Sequence, residues 1–379
     1  MNLKKIDSSL FGVQVLKSER TNCVVFVSDF FRAEKFLVDF HISIIARFRS
    51  LNAFGIECDF FLLDKLSDFV CVTYITTVSK ASCFMHSSRA IVGVDKLHRK
   101  NILGNGVGVA VIDTGCYPHL DFMIGKKKKF TFVDFVNEKL FPYDDNGHGT
   151  FVCGVLCGSG ASSAGVYCGV APESELIVLK ALDESGKAQG YKVLEAMDWI
   201  LSNFTKFNIR VVCMSFGCSP LSKFDALRIG ADTLWDAGIV VVSAVGNDGP
   251  AHSSIKSPAI SSKIISVGSV DIRDGIKVAD FSSRGPSFDC IKPDLVAPGV
   301  EVTSLSNLPK LFTSMSGTSV SAPFVAGTAA LILEKYPHLS PNEIKARIMY
   351  SAVNFDADIN EGGMGLLNSY VALNFDKYR

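Results

Sequence analysis

Three short stretches of this 379-residue chain place a reactive side chain close to glycine. VIDTG contains Asp113, NGHGT places His148 between two glycines, and SGTSVSAP contains Ser319. A serine hydroxyl is a weak nucleophile, which becomes effective when a histidine removes its proton and a carboxylate orients that histidine. These three residue types therefore predict acyl transfer through a covalent intermediate.

The surroundings of Ser319 favour it as the nucleophile. We expect an apolar helix over 319–336, so that the free N–H groups of its first turn face developing negative charge. Asn247, in SAVGNDGP at the end of a predicted strand, offers a side-chain amide to the same oxyanion. Ser316 and Ser321 are then turn and packing residues.

Each of these residues also has a purely structural explanation. Asp113 can cap a turn, His148 can be a satisfied residue at a helix start, and Ser319 can be an N-cap. The catalytic interpretation is favoured because the three occur together in the order Asp, His, Ser, which is one of the known chain orders of such a triad.

The elements that would position these residues alternate along the chain from residue 102 onwards. Continuous Val- and Ile-rich strands between helices predict a parallel sheet that is covered on both faces. Functional residues gather at the carboxyl ends of such strands. The predicted strands lie in VGVAVIDTG, ELIVLKAL, VVCMSFG, IVVVSAVGN and KIISVGSVD, and predicted helices lie in HGTFVCGVLCG and near 190–203 and 223–237.

Residues 1–81 have a different texture, rich in Phe and poor in Gly. CVVFVSDF, ISIIARF and FVCVTYITT have the character of strands, and FRAEKFLVDFH that of a short amphipathic helix. We therefore expect a small α+β domain at 1–81, a connector at 82–101 and the α/β domain at 102–379.

Charge and hydropathy exclude several classes of protein. The formal net charge is zero, which gives no support to a nucleic-acid or membrane-surface partner. No apolar run reaches the roughly 18 residues of a spanning helix, and the first residues lack the apolar core of a secretory signal. KKKK at 126–129 is typical of a solvated loop. The glycines of GNGVGVAVIDTG precede a strand rather than follow one, which argues against a nucleotide site.

The eleven cysteines lack paired spacing, which predicts reduced and mostly buried thiols in a cytoplasmic protein. Cys153 and Cys157 have no nearby pair of further ligands in the sequence, so no zinc or other metal site is predicted there.

Longer motifs connect the chain to a known family. VAVIDTG, DDNGHGTFVCGV, GVAPES, MSFG, SAVGNDGP, FSSRGP, KPDLVAPG, MSGTSVSAP and GMGLLN resemble the blocks of subtilisin-like serine proteases, the subtilases. YPHLD, DFVNEK, PYDDNGHGT and GSGASSAGVY are most similar to the intracellular AprX-like subtilases of bacteria. The resemblance implies a three-layer α/β fold with a seven-stranded parallel sheet, endopeptidase activity of broad specificity, and no required cofactor.

The resemblance also implies a role for each site residue. Asp113 would orient His148, which takes the proton of Ser319 and later delivers it to the leaving amine. Asn247 and the Ser319 N–H would hold the oxyanion. The segment Ser215-Phe216-Gly217 would bind the substrate backbone as an added strand and line the specificity pocket.

The calcium loop of secreted subtilases is altered in this chain. Its counterpart, GSGASSAGVYCG, has no carboxylate or side-chain amide, and only Asp121 matches an acidic ligand. Calcium takes six to eight oxygens, usually including carboxylates. We therefore expect no calcium at this loop, while a site elsewhere built from backbone carbonyls stays open.

Lys256 falls near the floor of the first specificity pocket when the chain is aligned with the family pattern. One interpretation is a pocket that tolerates acidic or polar substrate side chains. The other is an ordinary solvated loop lysine, whose long stem can reach water.

The N-terminal domain resembles the ferredoxin-like subtilase propeptide, which implies a chaperone and an intramolecular inhibitor of the protease. A sheet with many non-local contacts folds slowly, so a folding template has a physical rationale. Self-cleavage is expected near Ser82, within TTVSKASCFM. The alternatives are a permanent partner-binding domain and, for the whole chain, a catalytically inactive subtilase that serves as a binding module.

Overall fold

The computed structural model describes residues 2–6, 21–58, 60–77, 84–123, 130–220, 222, 225–288, 290–307 and 312–375. The chain divides into two compact units, Met1–Ser82 and Cys83–Arg379, called here the N-terminal and C-terminal units. The cleavage position predicted near Ser82 and the lysine run 126–129 lie outside the described residues.

The N-terminal unit is an antiparallel sheet with two helices. Its elements are β1 Thr21–Val27, α1 Phe30–Asp39, β2 Ile44–Phe48, β3 Ala53–Cys58, α2 Phe60–Asp68 and β4 Val72–Thr77, and the strand order is β2-β3-β1-β4. Alternate residues of β1, Cys23 and Val25 among them, enter a core with Leu37 of α1 and Leu66 of α2. The predicted α+β class is confirmed. The sequence patterns missed β3 and α2.

The C-terminal unit begins where a connector was expected. Two helices, α3 Phe84–Ile91 and α4 Val94–His98, precede the first strand. Val94 and Leu97 of α4 belong to the large core of this unit. The segment 82–101 was predicted to be a connector because its ends are polar. The apolar residues between those ends form helices that pack against the core.

A mostly parallel sheet forms the centre of the C-terminal unit. The order is β11-β10-β9-β8-β5-β7-β6, with β12 also paired to β10, in a sheet of eight strands. All pairs are parallel except that of the two-residue strand β11, so the predicted parallel sheet is confirmed. The strands are β5 Gly108–Asp113, β6 Phe130–Asp134, β7 Glu175–Lys180, β8 Ile209–Met214, β9 Val240–Ala244, β10 Ile265–Asp271, β11 Lys277–Val278 and β12 Leu295–Pro298.

Helices and a short hairpin surround this sheet. The helices are α5 Leu120–Met123, α6 His148–Cys157, α7 Gly190–Asn203, α8 Ala226–Asp236, α9 Thr318–Lys335, α10 Pro341–Tyr350, α11 Ile359–Gly362 and α12 Ser369–Asn374. The hairpin joins β13 Val302–Leu305 to β14 Phe312–Met315. Every residue of β5 and of β9 is buried, as expected for strands covered on both faces.

Helix α9 is the longest element and is buried from Thr318 to Leu333 except at Ser319. It packs against β8, β9, β10 and α6. Pro323 is the sixth residue of the helix, so its missing N–H leaves the carbonyl oxygen of Ser319 without a helical donor, and the Ser215 hydroxyl donates to that carbonyl instead. The helix thus fixes the position of its first residues relative to the ends of three central strands.

Candidate active site

A buried carboxylate and a histidine meet at the carboxyl edge of the sheet. Asp113 is the last residue of β5 and is 0% exposed, whereas His148 opens α6 with 27% of its side chain exposed. Nδ1 of His148 donates to Oδ1 of Asp113 over 2.7 Å. Because a carboxylate can only accept, this bond places the proton on Nδ1 and leaves Nε2 as the basic nitrogen.

Two glycines allow this approach. A Cβ on Gly149 would overlap the carbonyl oxygen of Gly115, so the start of α6 lies directly against the turn after β5. Gly115 itself has φ 119°, a conformation that L side chains rarely adopt. The N–H of Gly149 also donates to Oγ1 of Thr114 over 2.9 Å.

The carboxylate of Asp144 organises the loop before the histidine. It accepts from the N–H groups of Gly147 and Thr150, each at 2.8 Å, and from the hydroxyl of Thr114 at 2.9 Å. Asp144 was not singled out from the sequence, although it stands in the DDNGHGT motif. Its role depends on Thr114, which is distant in the chain.

The electrostatics of His148 favour a base that titrates above its ordinary range. Burial alone lowers the pKa of His148, but the charge of Asp113 and its hydrogen bond outweigh burial, and Asp144 adds to them. The pKa of His148 is therefore raised.

The side chains of Ser319 and Asn247 both lie close to Gly317. A Cβ built on Gly317 would lie 3.1 Å from the Ser319 hydroxyl oxygen and 3.4 Å from Nδ2 of Asn247. Both the N–H and the hydroxyl of Thr318 donate to Oδ1 of Asn247, at 2.9 and 3.0 Å. The amide of Asn247 is thereby oriented with its oxygen towards Thr318, which leaves the NH₂ group free of these two bonds.

Ser215 connects the predicted substrate segment to Ser319, the predicted nucleophile. Its hydroxyl donates to the carbonyl oxygen of Ser319 over 2.9 Å. Ser215 follows β8, Asn247 follows β9 and Asp113 ends β5, and these strands are parallel neighbours in the order β9-β8-β5. All the predicted catalytic residues are therefore held at one edge of the sheet by elements that meet there.

Comparison with known proteins agrees with this arrangement. Residues 104–370 match the model of the Subtilase family. The chain belongs to the subtilase family. The resemblance predicted from its motifs is thus confirmed.

Named relatives of this subtilase are proteases. It is 40% identical to serine protease AprX of Bacillus subtilis over 298 residues, which are 71% of this chain and 66% of that protein. It is 36% identical to subtilisin DY of Bacillus licheniformis over 283 residues, 73% of this chain and 94% of the relative. The chain therefore spans slightly less than two thirds of the length of AprX.

A solved structure shares the fold. It is described as a cold adapted subtilisin-like serine proteinase, with TM-score 0.60 and 29% identity, over 71% of this subtilase and 90% of that chain. The predicted subtilisin-like architecture is confirmed.

Lys256 lies against Gly217, the last residue of the predicted substrate segment. A Cβ on Gly217 would lie 2.7 Å from Cβ of Lys256, while Phe216 packs against the core. The Lys256 side chain is only 18% exposed, and its ammonium group pairs with Asp248. The stem of this lysine is therefore partly buried, while the hydrogen bond of its ammonium group to Ser219 is exposed.

Asp121 is bonded to the backbone of the altered calcium loop. Its two carboxylate oxygens accept from the N–H groups of Gly160 and Ser162, each at 2.8 Å. Each oxygen of this carboxylate therefore has a backbone donor in the loop. Among the described residues, no group of three or more His, Cys, Asp or Glu side chains is arranged to hold a metal ion.

Membrane insertion finds no support in the helices. None of those in the described ranges combines the length and the apolar character needed to cross a bilayer.

Proposed function

We propose that this subtilase is a serine endopeptidase in which Ser319 attacks the peptide carbonyl. The observation that carries the proposal is the 2.7 Å bond from His148 to Asp113, at the sheet edge where Ser319 is bonded to Ser215. A histidine oriented in this way can take the proton of a serine hydroxyl, which is otherwise a weak nucleophile.

The reaction follows from the orientation of His148. Nε2 accepts the proton of the Ser319 hydroxyl as its oxygen adds to the carbonyl carbon. The imidazolium ion that forms is stabilised by Asp113 and then protonates the leaving amine as the C–N bond breaks. Water, activated by the same nitrogen, hydrolyses the acyl-enzyme and restores Ser319.

The oxyanion of the tetrahedral intermediate is assigned to Asn247 and to the N–H of Ser319. Because Oδ1 of Asn247 accepts two bonds from Thr318, its NH₂ group is the part free to donate. The Ser319 N–H lies in the first turn of α9 and has no acceptor among the described residues. Donors fixed in this way stabilise charge that develops only in the transition state.

The substrate backbone would add as a strand along Ser215-Phe216-Gly217. Within the described chain, the backbone groups of Phe216 and Gly217 have no hydrogen-bond partner, as in an open strand edge. A peptide paired there would bind through main-chain bonds, which supports a broad range of protein and peptide substrates.

No cofactor enters this mechanism. The chemistry is supplied by side chains, and the loop where other subtilases bind calcium is closed by Asp121. We assign no metal to the described residues.

The N-terminal unit is proposed to be an inhibitory propeptide that the protease removes from itself. Val24 and Phe26 alternate with the core residues of β1, and Tyr74 of β4 pairs with Phe26. The second face of the sheet therefore carries these apolar residues together with Thr76, which pairs with Val24, while α1 and α2 pack on the opposite face. Such a face suits docking onto a protease, and a permanent partner-binding domain is the alternative.

Active-site labelling with a fluorophosphonate probe tests the enzyme class. The wild-type protein should react and the Ser319→Ala variant should not, because only the hydroxyl forms the covalent adduct. Wild-type protein that neither labels nor cleaves casein would indicate an inactive subtilase that acts as a binding module.

Electrophoresis and mass spectrometry of the same two proteins test self-processing. The wild-type chain should lose its N-terminal unit near residue 82, whereas purified Ser319→Ala should remain one full-length species. Processing of Ser319→Ala without added protease would refute self-cleavage and leave the enzyme class untouched.

A further inference from the structure

We propose that Lys256, with Asp248 as its counter-ion, makes the pocket beside Ser319 selective for acidic side chains. The substrate concerned has glutamate at P1, the residue whose carbonyl is attacked. This inference rests on the proposed function, because it concerns the substrate class of the same site.

The lysine is held between the two backbone segments that flank the nucleophile. A Cβ on Gly217 would lie 2.7 Å from the lysine Cβ, and a Cβ on Gly246 would overlap its Cγ. The N–H of Lys256 donates to Val245, and Ser257 pairs with Cys218 through two backbone bonds. The aliphatic part of the Lys256 side chain therefore lies between the segment that follows β8 and the segment that follows β9.

Lys256 and its partner Ser219 line a cavity of about 460 Å³ with polar and apolar walls, which adjoins the predicted substrate segment through Lys256 and is lined by none of residues 215–217, Asn247 or Ser319. Lys256 is the only charged side chain among the described residues that line it, and Ser219, Ser253, Ser254 and Ser287 supply hydroxyl groups. Oγ of Ser287 is buried and has no hydrogen-bond partner in the described structure. A cavity with one cation, several hydroxyls and an unused buried donor suits a carboxylate ligand.

The hydrogen bonds of the ammonium group leave room for a substrate. Its three N–H donors meet Ser219, at 2.8 Å, and the carboxylate of Asp248; no third acceptor lies among the described residues. The Asp248 side chain is 57% exposed, whereas that of Lys256 is 18% exposed. An exposed partner holds its cation weakly.

In a bound peptide, a P1 carboxylate competes with Asp248 for the ammonium group of Lys256. Its backbone pairs with residues 215–217, so a P1 carboxylate is presented to Lys256 at high effective concentration. It can take the unused N–H donor while the aspartate swings towards water. Glutamine has the same shape without the charge, so the comparison of glutamate with glutamine isolates the electrostatic contribution.

Asp248 should limit this preference. Its charge partly neutralises Lys256, so removing the charge in Asp248→Asn exposes the full field of the ammonium group to the substrate. The two substitutions therefore act in opposite directions on the same ratio.

The test compares kcat/KM for matched peptides with Glu or Gln at P1, at low ionic strength. Wild type should favour Glu, Lys256→Gln should lower the Glu/Gln ratio about tenfold, and Asp248→Asn should raise it severalfold. Lys263→Gln is the charge-matched control, because Lys263 is exposed and pairs with Asp236; its ratio should equal that of wild type. Added salt should reduce the ratio in wild type but not in Lys256→Gln, in which only the repulsion between Asp248 and the P1 glutamate is left to be screened.

An unchanged ratio in both Lys256→Gln and Asp248→Asn would overturn the inference. That result is distinguishable from failure of the proposed function, because the peptides would still be cleaved and the probe would still label Ser319. A protein that labels with the probe, cleaves the Gln peptide and discriminates against Glu would also overturn it.

Discussion

Thr318 donates two hydrogen bonds to one oxygen atom of Asn247, through its N–H at 2.9 Å and its hydroxyl at 3.0 Å. The residue adjacent to the proposed nucleophile thus orients the proposed oxyanion donor. Gly246 adds to this arrangement, because its N–H donates to the Thr318 hydroxyl over 3.2 Å. The proposed oxyanion site is therefore built from consecutive residues of two segments that approach each other across the end of β9.

Replacement of Thr318 by valine should lower kcat about tenfold with little change in KM. One of the two bonds that orient Asn247 is lost, and the amide is needed most when charge develops in the transition state. Steady-state kinetics with a peptide substrate would measure this. Thr318→Ser retains the hydroxyl and should keep most of the activity; equal losses in both variants would show that packing, rather than the bond, is at work.

The pH profile should show an alkaline requirement. His148 acts as a base only when neutral, and its pKa is raised above the ordinary value of 6.5. Activity should therefore rise with pH through a midpoint above 6.5 and be lost as pH falls below it. In Asp113→Asn, whose rate should also fall by orders of magnitude, the midpoint should move down. A wild-type midpoint at or below 6.5 would contradict the assignment.

The contact between Gly149 and Gly115 should be intolerant of a single methyl group. In Gly149→Ala the new Cβ overlaps a carbonyl oxygen, so α6 and His148 must shift, and we expect about 1–3 kcal/mol of lost stability together with slow probe labelling. Gly190→Ala is the matched control, because its Cβ would meet no atom within 4 Å. Thermal unfolding in the Ser319→Ala background, which prevents autolysis, would compare the two stabilities.

A buried lysine should make stability rise at alkaline pH. The ammonium group of Lys345 contacts Asp294 at 3.0 Å and three backbone carbonyls, and Lys292 bonds to the same carboxylate. Burial and the charge of Lys292 lower the pKa of Lys345 to about 8, although Asp294 and, more weakly, Cys290 oppose this. Between about pH 8 and the unfolded value near 10.4, the unfolded chain binds a proton that the folded chain lacks.

The free energy of unfolding of the parent, relative to Lys345→Met, should therefore increase with pH across that window. Below pH 8 the difference should be constant, because both states are protonated. Urea denaturation in the Ser319→Ala background at a series of pH values measures it. A difference that stays flat or falls between pH 8 and 10 would contradict the expectation.

The parallel sheet could be predicted because its strands are buried on both faces. GVAVID and VVVSA are mainly apolar runs; the first ends in Asp113, and Asn247 comes three residues after the second, at the edge where parallel strands meet. Helix α7 was predicted at its observed bounds, and α9 begins one residue earlier than expected. In the N-terminal unit, AFGIEC is short and contains glycine, and FFLLDKLSD has no clear period, so local pattern could not separate strand from helix.

The supporting residues of the site could not be predicted because their roles depend on partners distant in sequence. In the sequence, Asp144 is one of two adjacent acidic residues, and nothing there shows that the Thr114 hydroxyl donates to it. Thr318 reads as a helix-start threonine until Asn247 is placed beside it. Lys256 was placed near the pocket by alignment, but its burial against Gly217 and Gly246 depends on tertiary structure.

The hydrogen bonds from two backbone N–H groups to the carboxylate of Asp121 hold the loop at 159–162 without a metal ion. A loop held by an ion opens when that ion is diluted or chelated, since its closure depends on a free ligand concentration. Here the carboxylate of Asp121 and the N–H groups that it accepts from belong to one covalent chain. Their effective concentration is therefore fixed and does not depend on the volume of solvent. Closure of this loop is therefore indifferent to dilution.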